Sequence, residues 1–231
     1  ADLEVQVDAC LLEAPSGDCP NHAQVYGPIG TWDVSRVTEM SRLVCGRSSD
    51  GQCDASLQDF NADLSAWDTS RVVSMERMFQ DARKFNGDIS KWDTSRVTTT
   101  ERMLTNALIF NADISKWDVS SVENTFFIFY NARAFNADIS KWNTARVTIM
   151  QSMFKVAPAF NADISKWNTS SVGTMAGTFQ YADEFNADLS AWDVSLVTSF
   201  ENMFSYTSAF NADVSMWDTS SAQSMASMFR D

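Results

Sequence analysis

Residues 85–109 read FNGDISKWDTSRVTTTERMLTNALI, and this 25-residue frame is written repeatedly along the chain. Its phenylalanine recurs at Phe60, Phe85, Phe110, Phe135, Phe160, Phe185 and Phe210, and its tryptophan at Trp67, Trp92, Trp117, Trp142, Trp167, Trp192 and Trp217. Trp32 stands 35 residues before Trp67, and the ten extra residues fall between Val44 and Phe60. A fixed period of this length marks a repeat architecture, in which a unit too small to bury its own apolar face is stabilised by stacking on its neighbours.

Within a unit the apolar spacing changes character. From Val72, the residues Met75, Met78, Phe79, Ala82 and Phe85 fall on one face at about 100° per residue, which predicts a helix. Asp68, Thr69 and Ser70 precede it, and their oxygens suit the free amides of a first helical turn. The stretch Asp88-Ile89-Ser90-Lys91-Trp92 is too short for a helix and reads as a strand between turns. The expected fold is therefore an α/β repeat solenoid, leucine-rich-repeat-like, with one short parallel strand plus one helix per 25-residue coil and about eight coils. Its expected divisions are a disulfide-containing N-terminal cap over 1–29 and a single repeat solenoid over 30–231, with an insertion at about 45–58. The methionines Met75, Met150, Met175 and Met225 sit at a core position of that helix, so packing accounts for them better than soft-metal binding.

The string Phe85-Asn86-Gly87-Asp88-Ile89-Ser90-Lys91-Trp92-Asp93-Thr94-Ser95 and its copies resemble the repeat of the BspA-like leucine-rich-repeat surface proteins, over about residues 30–231. The resemblance implies a cell-surface or secreted location and a role in adhesion or binding. It does not name a ligand.

Stacking turns each repeat position into a physical row. Asn61, Asn86, Asn111, Asn136, Asn161, Asn186 and Asn211 form an unbroken asparagine row, whose amides can bridge successive turns and satisfy buried backbone groups. Asp63, Asp88, Asp113, Asp138, Asp163, Asp188 and Asp213 form a second row, which requires either bridging calcium or capping of turn amides within each coil. Without glycine-rich, multi-aspartate loops, capping is the better expectation. Lys91, Lys116, Lys141 and Lys166 make a basic stripe beside Ser90, Ser115, Ser140 and Ser165. That stripe could hold an anionic glycan, or simply keep the surface solvated and offset nearby aspartates.

One unit departs from the others. In Thr125-Phe126-Phe127-Ile128-Phe129-Tyr130, Ile128 and Phe129 take core positions, while Phe126, Phe127 and Tyr130 fall off the buried face of the expected helix. They replace Glu101, Arg102 and Thr105 of the preceding unit, so an exposed aromatic patch and a protein partner or larger assembly are expected there. A terminus or the insertion folding over them is the alternative.

Composition narrows the remaining classes. Seventeen Lys and Arg against thirty Asp and Glu give a formal charge of −13, which argues against nucleic acid. No stretch approaches the roughly 20 apolar residues of a membrane span. Cys10, Cys19, Cys45 and Cys53 allow three connectivities, of which the sequence-local pairs Cys10 with Cys19 and Cys45 with Cys53 close at least entropic cost. They point to an oxidising, extracellular or cell-surface location. A zinc site is the weaker reading, since His22 is the sole histidine and the cysteine spacings are wide. No cofactor or metal is expected. No enzyme is expected either: no serine is paired with a distinctive base, and a catalytic carboxylate pair should differ from its neighbours, whereas these recur in every unit. Asn168-Thr169-Ser170 matches the N-glycosylation acceptor pattern and also reads as a cap. Ending at Met228-Phe229-Arg230-Asp231, partway through an expected helix, the sequence leads one to expect further repeats or a covering molecule.

The reading that follows is of a non-enzymatic extracellular or surface module, acting as a structural or protein-docking scaffold. Binding of anionic polysaccharide or matrix along the Lys/Ser stripe is the alternative.

Overall fold

The computed structural model describes residues 3–45, 53 and 55–231. Its units stack in parallel register. One row of isolated parallel bridges runs from Glu39 through Ser74, Thr99, Asn124, Ile149, Thr174 and Ser199 to Ser224. The period of the sequence is thus the period of the structure.

The expected strand-plus-helix coil is not formed. Among the described residues the α-helices are α1, Leu3–Glu13, and α2, Pro20–Tyr26, with short 3-10 turns at Ile29–Thr31 and Ala55–Asp59. No strand is present among the described residues either, so the α/β solenoid of about eight helix-bearing coils is overturned. Residues 72–85 and their equivalents are a chain of tight turns: Val72 N–H donates to Thr69, Met78 to Met75, Ala82 to Phe79 and Phe85 to Ala82, each three residues back. The segment read as a strand is another turn, closed by Trp92 N–H on the Ile89 carbonyl.

The helix-like spacing has a physical cause. A string of turns closed at i and i+3 returns its first and fourth residues to the same side, so its apolar spacing imitates a helix. What separates the two is backbone handedness. Left-handed residues recur at two fixed positions of the unit: Arg42, Arg77, Arg102, Phe127, Ser152, Gly177, Asn202 and Ser227 at one, and Asp81, Asn106, Asn131, Val156, Tyr181 and Tyr206 at the other, with φ between 54° and 66°. A right-handed helix cannot contain such residues, and each non-glycine one costs about 1–2 kcal/mol.

The return for that strain is a ladder between units. With handedness alternating, the N–H groups of Met75, Arg77, Phe79 and Asp81 point at the next unit and donate to Thr99, Glu101, Met103 and Thr105 at 2.8–3.1 Å. Backbone bonds of this kind contribute about 0.5–1.5 kcal/mol each, so four of them offset two left-handed residues. The side chains expected to cap helices serve the turns instead. Asp68 Oδ1 accepts the Ser70 N–H at 3.0 Å, and the buried Thr69 hydroxyl donates to the Asp93 carbonyl of the next unit at 3.0 Å.

The core is built of aromatic columns. Phe85, Phe110, Phe135, Phe160, Phe185 and Phe210 follow one another at 5.7–6.1 Å between ring centres. A second column, Phe129, Phe154, Phe179 and Phe204, packs beside it, with Phe154 only 3.7 Å from Phe160. The tryptophans form a third column and are locked to the unit before: Trp92 Nε1 donates to the Leu64 carbonyl, Trp117 to Ile89 and Trp142 to Ile114. Met75, Met150 and Met175 are buried as expected, whereas Met225, in the last unit, is 45% exposed.

The N-terminal segment continues the stack with a different backbone. Ser16 supplies the carbonyl that accepts the Asn61 N–H, and Ile29 supplies the one that accepts from Trp67, so both rows find an acceptor before the first full unit. Gly17 makes this contact feasible: it holds φ 91°, and a Cβ there would stand 2.7 Å from the Ala62 methyl. Cys10 is bonded to Cys19, joining α1 to the start of α2, and Cys45 to Cys53. Most of the insertion expected at about 45–58 lies outside the described residues.

Candidate functional site

The asparagine row is structural. Asn61 Oδ1 accepts the Asn86 N–H at 2.9 Å, and the same link runs through Asn111, Asn136, Asn161 and Asn186 to Asn211 at 2.7–2.9 Å. Each amide holds the first backbone group of the next unit.

The aspartate row is committed to its own turns. In Asp63, Asp88, Asp113, Asp138, Asp163, Asp188 and Asp213, Oδ1 accepts the N–H of the serine two residues on, at 2.9–3.0 Å. The serine hydroxyl and backbone N–H hold these carboxyls below the ordinary aspartate value, the amide coming first for Asp188 and Asp213. Among the described residues, no group of three or more His, Cys, Asp or Glu side chains is arranged to hold a metal ion.

Lys91, Lys116, Lys141 and Lys166 are all exposed, on four successive units. Each also lies near an aspartate of the adjoining row, for example Lys91 beside Asp88 and Lys141 beside Asp138, and helps to lower its pKa. The outer surface here carries alternating charge rather than a uniformly positive stripe.

The aromatic patch differs from its expected form. Phe126, Phe127 and Tyr130 are half-buried, because the helical wheel that turned them outward does not apply to a chain of turns. The three rings touch: Phe126 and Phe127 meet edge to face at 4.2 Å, and Phe127 lies 4.9 Å from Tyr130. Arg102, one unit earlier, lays its guanidinium over both phenylalanines at 5.1 and 4.8 Å. Its Nε also lies 3.6 Å from the Glu101 carboxylate, an ion pair rather than a hydrogen bond. Phe127 takes all of this at φ 57°, in a row otherwise filled by Arg, Ser, Gly and Asn.

Sequence reasoning used Arg102 only as the polar contrast to this patch, although its place 25 residues before Phe127 puts it in the same row. Two further features went unnoticed. Asn131 Nδ2 donates to Asn106 Oδ1 and Asn106 Nδ2 to Asp81 Oδ1, at 2.8 and 2.6 Å, forming a second polar row. Two units beyond, the same row becomes aromatic, with Tyr181 and Tyr206 stacked at 4.7 Å and Tyr181 41% exposed. The 25-residue alignment carried this signal, but the left-handed turns that bring these residues to the surface were not foreseen.

Stacked turn units bearing outward rows define a repeat protein with a non-uniform surface on a uniform core. Its sequence matches the family model described as "Mycoplasma protein of unknown function, DUF285" at residues 19–141 and 127–231, and the chain belongs to that family, a repeat family of the surface-protein type. No curated protein matches it. A solved structure titled "Crystal structure of TLR13-ssRNA13 complex" aligns with 64% of this chain at 14% identity and a TM-score of 0.29, too slight a likeness to carry an argument. The chain spans 23% of that one. No helix among the described residues is long and apolar enough to cross a membrane. The two disulfides are consistent with an oxidising, extracellular or surface location.

Proposed function

We propose that this chain is a non-enzymatic surface module of the BspA-like repeat type, and that it docks a protein partner through Phe126, Phe127 and Tyr130. The observation that carries the reading is the ring cluster under Arg102. Interface hot spots are rich in aromatic residues and arginine held rigidly before contact. Here three half-buried rings are fixed by one another and by a guanidinium, in a unit whose neighbours carry Glu, Arg and Thr on one side and Gln, Ser and Lys on the other at the same positions. Placing a phenylalanine in a left-handed position adds local strain that the fold itself does not require, since Gly177 fills the same row without it.

The non-enzymatic part rests on uniformity. The aspartates repeat with the same turn partner in each unit, and His22, the sole histidine, is engaged with Gln6 and packs against Tyr26 and Trp32.

Phe126→Gln, Phe127→Gly and Tyr130→Thr introduce residues that neighbouring units carry in the same rows or that match them closely. The triple variant should keep its fold by circular dichroism and lose a partner that cross-links to the native chain in its source organism. A partner retained at full affinity eliminates the docking role of the patch.

A second reading is favoured by the exposure of Lys91, Lys116, Lys141 and Lys166 on consecutive units: an anionic polysaccharide could lie across them. Replacing the four lysines with glutamate should abolish salt-sensitive retention on a sulfated polysaccharide column. Unchanged retention excludes it.

A further inference from the structure

We infer that Asn168 is the acceptor of an N-linked glycan, placed on the same face as the lysine row. Asn168-Thr169-Ser170 is the one Asn-x-Ser/Thr in the sequence. Its row otherwise reads Asp33, Asp68, Asp93, Asp118, Asn143, Asp193 and Asp218, and a carboxylate cannot accept a glycan through nitrogen. Asn143 is followed two residues later by Ala145, so one unit alone combines the carboxamide with the hydroxyl that the acceptor pattern requires.

The local geometry suits the modification. Asn168 is exposed, on a turn between buried Trp167 and buried Thr169. Its Oδ1 accepts the Ser170 N–H at 3.1 Å and the Ser170 hydroxyl at 2.7 Å. Hydrogen bonding to the amide oxygen orients the carboxamide and leaves Nδ2 to the solvent; among the described residues Nδ2 makes no hydrogen bond. The turn is held by Thr169, whose buried hydroxyl donates to the Asp193 carbonyl at 2.8 Å, so a glycan on Nδ2 displaces no structural contact. At the equivalent turn Thr144 likewise donates to the Asn168 carbonyl at 2.9 Å, but Asn143 Oδ1 accepts the Ala145 N–H at 3.3 Å and has no serine hydroxyl beside it. The disulfides fit the oxidising compartment in which such transfer takes place.

The co-reactant is a glycan carried on a lipid pyrophosphate. The Asn168 nitrogen loses one proton to a base of the transferase and bonds to the anomeric carbon of the sugar. The bond from that carbon to the pyrophosphate oxygen breaks, and the lipid pyrophosphate leaves with the electron pair. No oxidation or reduction occurs.

Exposure alternates from Lys166 to Ser170, with Lys166, Asn168 and Ser170 outward, so the glycan stands beside Lys166 and over the end of the lysine row. The glycosylated chain should therefore bind an anionic polymer several-fold more weakly than the unmodified chain, if the lysines bind one at all. The acceptor role itself does not depend on that.

The test is secretion of the full chain from a eukaryotic cell together with a control glycoprotein, read by intact mass before and after the amidase that removes N-glycans and leaves aspartate. The wild-type chain should carry one glycan, lost on treatment. Asn168→Asp, which restores the residue found elsewhere in the row, and Ser170→Ala should each give a folded chain without it. Ala145→Ser completes the acceptor pattern at Asn143 and should add a second glycan. A glycan-free wild-type chain beside a modified control overturns the inference, as does a glycan that survives Asn168→Asp.

Discussion

The guanidinium carbon of Arg102 lies 4.8 Å from the centre of the Phe127 ring, and the two residues share one row and one left-handed backbone conformation. The contact and the strain oppose each other at Phe127. Phe127→Gly removes about 1–2 kcal/mol of left-handed strain together with ring packing and a cation–π contact of about 0.5–1 kcal/mol. Stability should change by less than about 1 kcal/mol, measured by denaturant unfolding, so the variant isolates the ring's part in binding from its part in folding.

The asparagine ladder should be more sensitive. Asn136→Ala leaves the Asn161 N–H without its side-chain acceptor, and the loss should be about 0.5–1.5 kcal/mol at this solvent-accessible edge. Asn136→Asp keeps an acceptor and should be milder. Equal losses in the two variants would show that the side-chain link is not what holds the row.

A larger effect is expected at Trp142. Its indole is 5% exposed, donates to the Ile114 carbonyl and stacks on Trp167 at 6.1 Å. Trp142→Ala opens a cavity in the middle of a column and removes a bond between units, a loss of about 3–5 kcal/mol. Because neighbours stabilise one another in a stack, hydrogen exchange should rise first in the units on either side of residue 142.

The aspartate turns predict the acid limit. The folded state holds Asp63, Asp88, Asp113 and their equivalents below the ordinary aspartate value, so the unfolded chain binds more protons as pH falls through that range. Their stabilisation is complete above the unfolded value and is lost as pH drops through the lowered folded values. Unfolding free energy should be flat near neutrality and decline in that acidic window, and Asp138→Asn should shallow the decline. A steeper decline in the variant contradicts the assignment.

Reduction should act locally. The Cys10 to Cys19 bond closes a loop of nine residues and should contribute about 2.5 kcal/mol, chiefly to α1 and α2. Reductant should expose amides of Leu3–Glu13 to exchange while those of residues 85–210 stay protected.

Much of the surface was legible without coordinates, and for one reason. A strict period converts position in the sequence into position in space, so the asparagine row, the aspartate row and the exposed lysines follow from alignment alone. The burial of Met75, Phe79 and Ala82 follows too, since apolar residues that recur every unit must lie where units meet. The backbone between them did not follow. A helix and a string of turns place apolar side chains at the same spacing of three and four, and the sequence contains no glycine at most of the left-handed positions to tell them apart. Handedness was settled by hydrogen bonds between units 24 and 25 residues apart, such as Arg77 to Glu101, which reward alternating conformations only once the next unit is in place. The same tertiary choice moved Phe126, Phe127 and Tyr130 from an exposed helix face to a half-buried cluster and brought Arg102 over them. The sequence by itself determined that the units repeat, stack and align in rows; the path of the chain within each unit, and hence which side chains meet at the aromatic patch, was decided by bonds that exist only between units.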